Sequence, residues 1–322
     1  AATARHAVDR WVGQLVAEAA RNSPAALDIC AGRGSVADGA GVSSAADPLR
    51  RLVGPLGPDG ARSGTGHLDA YFEEAAVAGF LRQAAESLMD RDEAEVAVYL
   101  YALSGSYADM LAVVNERLAA TLTAVPAGGA SAPRAGAGAT SPAPRGASPA
   151  NARGHSWRRI ARWLQKEHVG EQAGGVVPRA LASEGNGWLL DDFGLLVNVA
   201  ELADEVHEGR IVEAEQRLDD LGVLPRDSAG VADMQRRYQR LDSRMRIVLE
   251  RVLVLAMETL YRHHQDAKRR AAYAGPGASA DVRSMGELRE RAEVLMAFAH
   301  SIHASIEQAT ASRLSKLIGM MG

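Results

Sequence analysis

Apolar residues recur every three to four positions through most of the chain, the spacing that places them on one face of an α-helix. The clearest example is residues 187–227. One helical face before the turn carries Leu195, Val199, Leu202 and Val206, and one face after it carries Ile211, Ala214, Leu218 and Leu221. Between the two halves of this stripe, Glu208-Gly209-Arg210 leaves room only for an antiparallel return. Neither stripe can be buried by its own helix, so we expect antiparallel helix pairs stacked into an α-solenoid.

The same periodicity predicts further helices, and no segment shows the alternation or hairpin turns of β-strands. Within residues 68–123, Gly79 and Asp90-Arg91-Asp92 are predicted breaks, and Ser104-Gly105-Ser106 is predicted to turn a helix pair over residues 95–118. The remaining predicted helices are residues 2–21, a short one near 24–31, 155–168, a single long one over about 229–270, and a last one that begins near Asp281.

Residues 124–153 have a different composition, almost wholly Ala, Gly, Pro, Ser, Thr and Arg, without apolar periodicity. Such a segment buries too little apolar surface to offset its ordering entropy, so we predict a disordered linker. The predicted organisation is therefore an N-terminal part of the solenoid over residues 1–123, the linker over 124–153, and a C-terminal solenoid block over 154–322.

Composition narrows the possible classes of protein. Hydrophobic residues make up 47% of the 322 residues, which is enough for a sizeable core, and the net charge of −4 provides no general attraction for nucleic acid. Cys30 is the only cysteine, so no disulfide can form within the chain, which fits a reducing compartment. Residues 247–260 are rich in Val and Leu, but Glu250, Arg251 and Glu258 interrupt them, and the run is far shorter than the ~20 apolar residues of a membrane span. The chain opens on Ala-Ala-Thr, and we expect it to be a piece of a longer protein.

Histidines are the first candidates for chemistry. His300, His303 and Glu307 could share one helix face, but a metal site needs more ligands, so partly exposed helix residues are the preferred interpretation. His263 and His264 are adjacent and cannot point the same way; we place them near a helix C-terminus, where their partial charge suits the helix dipole.

Paired aspartates are the second candidates. Asp191-Asp192 and Asp219-Asp220 invite comparison with the aspartate-rich motifs of all-α isoprenoid synthases, but the sequences DDFGL and DDLGV both lack the third carboxylate of a magnesium site. We therefore assign Asp191-Asp192 to a helix N-terminal turn and Asp219-Asp220 to a solvated face.

The remaining motifs are still weaker indications of a binding or catalytic site. The arginines of residues 236–251 are interleaved with Asp242 and Glu250, which favours a solvated helix face over a nucleic-acid stripe. The segment GRGSVADGAG, residues 32–41, lacks the Lys-Ser/Thr of a phosphate loop. Cys30 has no histidine nearby in sequence and is expected to pack. We expect no catalytic, cofactor-binding or metal-binding residues, and no enzyme.

Two groups of motifs resemble a known family. LLDDFGLLVNVAELADEVHEGRIVEAEQRLDDLGVLP, followed by a long helix with RIVLERVLVLAMETLY and the ending RAEVLMAFAHSI, resembles the C-terminal end of the nucleoporin-interacting-component family. These proteins are the large helical scaffold nucleoporins of the nuclear pore inner ring. EAEVAVYLYALSGSYADMLAVVNERL and SWRRIARWLQKEH are similar to further helices of that family. The resemblance covers about residues 68–322 without the linker.

The resemblance implies an all-α solenoid without catalysis or cofactors, a scaffold that binds linker and inner-ring nucleoporins and supports nucleocytoplasmic transport. It further implies location at the nuclear pore complex of the nuclear envelope, with no direct nucleic-acid binding and no transmembrane segment. The family's N-terminal helices, which dock channel nucleoporins, have no counterpart in this sequence. The alternative is a general helical-repeat adaptor, such as a vesicle-coat or tetratricopeptide-like scaffold, and an all-α synthase is a third, weaker hypothesis.

Overall fold

A computed structural model of the chain describes residues 2–23, 47–54, 62, 64–124, 149–169, 176–274, 279–302 and 306–321. Over these residues the regular structure is helical, and no strand is present among them. The all-α prediction is confirmed.

The α-helices are numbered here in chain order. The first six are α1 (Ala2–Arg21), α2 (Pro48–Val53), α3 (Glu74–Met89), α4 (Ala94–Leu103), α5 (Tyr107–Ala124) and α6 (Pro149–Leu164). The next seven are α7 (Val176–Ser183), α8 (Gly187–Glu208), α9 (Ile211–Leu221), α10 (Val231–Arg240), α11 (Ser243–Ala274), α12 (Ser279–Ser301) and α13 (Gln308–Gly319). A 3₁₀ turn (His67–Ala70) precedes α3, and a π-helical turn (Gln165–Val169) continues α6.

The chain divides into two compact units, residues 1–118 with 142–194 and residues 119–141 with 195–322. In the first unit α1 packs against α2, α3 and α4, and α3 packs against α4. Its core holds Val16, Leu81 and Tyr99, all essentially inaccessible to solvent. This unit takes helices from both sides of the predicted linker, and the buried Asn115 side-chain amide donates a 2.9 Å hydrogen bond to the Leu189 carbonyl within it.

The boundaries of the predicted linker differ from the helix ends. Helix α5 reaches Ala124, and α6 begins at Pro149, so residues 149–153 are its first turn rather than linker. Proline suits that position, because the first helical residue has no intrahelical N–H partner to lose. Residues 125–148 lie outside the described residues, and the disordered linker stays a prediction for them.

The second unit is built around α11, which packs against α9, α12 and α13. Its core is the middle of α11, which is covered on every side because residues 252–257 are all buried. The fully buried residues of α11 include Val248, Val252, Leu253, Val254, Leu255, Ala256, Met257 and Leu260.

Two predicted turns are confirmed, and each has a glycine in the left-handed region. Gly105 (φ 72°) returns the chain between α4 and α5, and Gly209 (φ 77°) returns it between α8 and α9. A side chain at either position would strain this backbone conformation, which glycine adopts without cost. The predicted break at Asp90-Arg91-Asp92 is also confirmed, whereas Gly79 lies inside α3.

One predicted long helix is interrupted. The helix expected over about 229–270 is split into α10 and α11, because Leu241 is extended and Asp242 caps the second helix. The Asp242 Oδ1 atom accepts a 2.7 Å hydrogen bond from the Met245 N–H, which satisfies a donor at the start of α11. The helix expected to begin near Asp281 is α12, but it is not the last one as predicted, because α13 follows it. Over the described residues, no helix is both long and apolar enough to cross a bilayer.

Candidate docking groove

An apolar groove lies in the second unit, where the chain passes from α9 through α10 into α11. Helix α9 stops at Gly222, whose left-handed conformation (φ 58°) turns the chain into a loop. The chain then forms α10 and bends at Leu241, so that α10 and α11 diverge rather than continue as one rod. The space between them has a volume of about 160 Å³. We call it the docking groove.

The floor and the rim of the docking groove differ in exposure. The floor consists of four α11 side chains that are almost fully buried, Met245, Val248, Leu249 and Val252. The rim consists of four half-exposed apolar side chains, Leu195, Val223, Met234 and Leu241. Apolar side chains that converge on a concave surface and remain partly exposed to solvent are the usual lining of a binding pocket.

Arg246 fixes the bend that opens the docking groove. Its Nε donates a 2.9 Å hydrogen bond to the Leu241 carbonyl, and its Nη2 donates a 2.8 Å hydrogen bond to the Gln239 carbonyl. Its guanidinium also lies 5.7 Å from the centre of the Tyr238 ring, within the range of a cation–π contact. The carbonyls at the end of α10 are thereby satisfied by a side chain of α11.

Glu250 lies behind the groove wall and is buried. Burial raises the pKa of its carboxyl group, and a 3.4 Å hydrogen bond from the Glu307 N–H opposes that rise. This contact joins α11 to Glu307, the residue that precedes α13.

The outer side of the groove is basic. Residues 231–246 contain five arginines and two aspartates, a net charge of +3, whereas the whole chain carries −4. Asp233 is paired with Arg236 at 3.4 Å and with Arg237 at 3.0 Å, and Arg237 itself lines the groove. Arg240 is exposed and has no ion pair with any residue that the structure describes.

A second concavity, between α8 and α9, has a different character. It is wider, about 690 Å³, and its polar lining includes Glu205, Arg210 and Arg217. Arg217 binds the Glu205 carboxylate through two nitrogens at 2.9 and 2.7 Å and reaches Glu201 at 2.7 Å. These charges neutralise one another within the fold, so the surface is a structural ion-pair network that joins α8 to α9.

The histidines considered from sequence are not brought together. His300 is exposed, and its Nδ1 hydrogen-bonds the Met296 carbonyl of its own helix at 2.8 Å. Helix α12 ends at Ser301, so Glu307 lies beyond it and does not share its face, contrary to the prediction; His303 lies outside the described residues.

The adjacent pair His263 and His264 lies ten residues or more before the end of α11 at Ala274, so the predicted link to the helix dipole is wrong, because that effect is confined to the last turn. His263 Nδ1 lies 2.8 Å from Glu215. Burial lowers the pKa of His264, and the nearby Lys268 and Arg289 lower it further. Both residues are parts of helix packing rather than a ligand set.

The aspartate pairs also differ from their predictions. Asp191 and Asp192 lie past the first turn of α8, which begins at Gly187, so their assignment to an N-terminal turn is wrong. Asp219 is half-buried and ion-paired with Arg291 of α12, rather than solvated. Asp220 accepts a 3.0 Å hydrogen bond from Gln216 and is exposed, as predicted.

Cys30 and residues 32–41 lie outside the described residues, so their interpretations stay predictions. In the part of the chain that the structure describes, no group of three or more His, Cys, Asp or Glu side chains could hold a metal ion.

The chain is similar to known proteins both in sequence and in structure. The sequence model of the family described as Nup93/Nic96 matches residues 44–313. The crystal structure of Chaetomium thermophilum Nic96 SOL is similar to this chain, with a TM-score of 0.58 and 18% sequence identity over 84% of the chain. The chain spans 38% of the length of that solved structure, which is an α-helical solenoid. This likeness confirms the predicted fold class. No curated protein sequence matches the chain.

Proposed function

The chain belongs to the Nup93/Nic96 family, and from that premise we propose that it serves as a structural scaffold of the nuclear pore complex inner ring. The single observation that carries this proposal is the family match, which runs through both compact units from residue 44 to residue 313. The helical solenoid fold supports the same role, because stacked helices form a rod with a groove at each helix junction.

The partners proposed for this scaffold are other nucleoporins, namely linker segments and further inner-ring subunits. A short segment can fill a groove between helices with a few apolar anchors, and such anchors supply most of the affinity of an interface. We place the protein accordingly at the nuclear envelope, within the nuclear pore complex, where it supports nucleocytoplasmic transport.

The proposed role involves no catalysis. Nup93/Nic96 is a structural scaffold family, and the carboxylates of Glu205 and Asp219 are engaged in ion pairs within the fold. Membrane proximity is proposed to come through partners only.

Imaging the tagged full-length protein in its own cells, together with affinity capture of its partners, tests the proposal. We expect a punctate rim at the nuclear envelope and co-purification of inner-ring nucleoporins. A full-length protein that stays away from the nuclear envelope and captures vesicle-coat components instead would support the general helical-repeat adaptor.

A further inference from the structure

We propose that the docking groove binds an acidic peptide segment that inserts one large apolar side chain, a leucine or a phenylalanine. The inference rests on the proposed scaffold function, since it assigns one groove of the scaffold and the chemistry of the segment that fills it.

The size of the groove defines the anchor. A cavity of about 150 Å³ in a protein interior holds benzene, and the docking groove has a volume of about 160 Å³. One phenylalanine or leucine side chain therefore fills it. Met234 on the rim and Met245 on the floor have flexible, polarisable thioethers that adapt to either shape.

The charge around the groove defines the residues that flank the anchor. Both aspartates of residues 231–246 are already engaged, Asp233 with two arginines and Asp242 with the start of α11. Arg236, Arg237 and Arg240 are exposed on α10 beside the apolar opening, whereas Arg244 and Arg246 are half-buried. Glu or Asp side chains next to the anchor complement this rim, and such complementarity selects partners and speeds association.

The same charges argue against a second copy of this chain as the occupant. Two copies meeting at this surface would oppose one basic rim with another, and like charges across an interface disfavour association.

The test uses the purified 322-residue chain and a short fluorescein-labelled peptide with one phenylalanine flanked by glutamates, followed by fluorescence anisotropy. Two control peptides replace the phenylalanine with alanine or the glutamates with lysines. We expect the acidic peptide to bind more tightly than both controls, and its affinity to fall as salt is raised. Equal affinity for the acidic and the basic peptide would overturn the proposal.

Three variants localise the binding. Met234→Glu places a charge on the apolar rim and is expected to weaken binding more than about tenfold. Val223→Trp fills the groove without adding charge and is expected to weaken it as well. Arg240→Glu is expected to cost about fivefold at low salt.

The two charge-introducing variants, Met234→Glu and Arg240→Glu, each have a matched control on the same protein. Ile247→Glu alters an exposed apolar residue of α11, 52% accessible, that does not line the groove, and it should leave binding unchanged. Arg283→Glu makes the same charge reversal as Arg240→Glu at an exposed position of α12. Circular dichroism checks that every variant is folded. Wild-type affinity in folded Met234→Glu and Val223→Trp would show that the groove is not the site.

Failure of this inference is distinguishable from failure of the proposed function. If wild-type protein lies at the nuclear envelope but the acidic peptide does not bind, only the groove assignment is overturned. If dimers form in analytical ultracentrifugation and Met234→Glu abolishes them, a second copy is the occupant and the inference is also overturned. If the peptide binds at the groove but the protein never reaches the envelope, the scaffold proposal fails instead.

Discussion

Arg217 is the residue on which the α8–α9 pair depends most. It holds the Glu205 carboxylate through two hydrogen bonds, and the Glu205 side chain is only 5% exposed. The bidentate geometry satisfies both carboxylate oxygens and fixes the register of the two helices. Removing Arg217 therefore leaves a charge that is buried and poorly compensated.

We predict that Arg217→Met lowers the free energy of unfolding by about 2 kcal/mol, near the low end for broken buried pairs because Arg217 is itself 28% exposed. Arg210→Met is the matched control. Arg210 is 46% exposed and lies 3.8 Å from the same carboxylate, so its loss should cost clearly less than the loss of Arg217. Urea denaturation followed by circular dichroism measures the unfolding free energy of both variants. Equal losses in the two variants would contradict the greater importance of the Arg217–Glu205 pair.

The buried carboxyl group of Glu250 makes the stability of the folded state depend on pH. Burial raises the pKa of its carboxyl group above the ordinary value of 4.5, so the folded state binds this proton more tightly than the unfolded state. Protonated Glu250 therefore stabilises the folded state fully below pH 4.5, and this stabilisation is lost as the pH rises through the folded-state pKa.

We predict that Glu250→Gln raises the melting temperature at neutral pH relative to wild type and that this advantage shrinks as the pH is lowered. The glutamine oxygen can still accept the hydrogen bond from the Glu307 N–H, while the burial of a charge is avoided. Thermal melts across the pH range measure the difference. An advantage that is the same at every pH would show that titration of Glu250 does not contribute to it.

At the scale of elements, the bend between α10 and α11 depends on a cap. The Asp242 Oδ1 atom accepts the Met245 N–H, and without this acceptor a donor in the first turn of α11 loses its partner. We predict that Asp242→Ala destabilises the protein by about 1 kcal/mol. Asp242→Ser, which keeps a side-chain acceptor, should recover most of that loss in chemical denaturation. Equal losses in the two variants would contradict a capping role.

The bend also shows why sequence predicted the helices better than their ends. Tyr238, Leu241, Met245 and Val248 follow one another at steps of three and four residues, so the apolar periodicity runs through the break without a gap. By contrast, Glu208-Gly209-Arg210 interrupts the periodicity, and that turn was predictable. The docking groove arises from the bend, and for this reason no pattern in the sequence indicated it.

Individual residues show the same limit of predictions made from apolar periodicity. Leu195 belongs to the predicted buried stripe of α8, together with Val199, Leu202 and Val206, which are indeed buried. Leu195 is instead half-exposed and lines the docking groove. Periodicity identifies the face of a helix that turns inward, but the neighbours that cover each turn of that face are set by tertiary structure.

At the scale of the whole molecule, stacked helices contribute stability largely through contacts with their neighbours. In such a fold the energy of each helix is set by the residues that pack against the next one, and a connecting segment without apolar residues adds little. The core residues of the described helices fit this account, since the first unit is centred on α1, α3 and α4 and the second on α11.

This reasoning leads to a prediction for residues 125–148, whose composition lacks apolar periodicity. We predict that replacing them with a Gly-Ser segment of equal length leaves the far-ultraviolet circular dichroism and the melting temperature unchanged. Equal length keeps the ends of α5 and α6 within reach and keeps the loop-closure entropy nearly constant. A matched control replaces Leu314 and Leu317 of α13, both buried, with serine and should lower the melting temperature clearly. A drop of more than about 4 °C in the linker replacement itself would correspond to roughly 1 kcal/mol of lost contacts and would show that this segment packs on the helices.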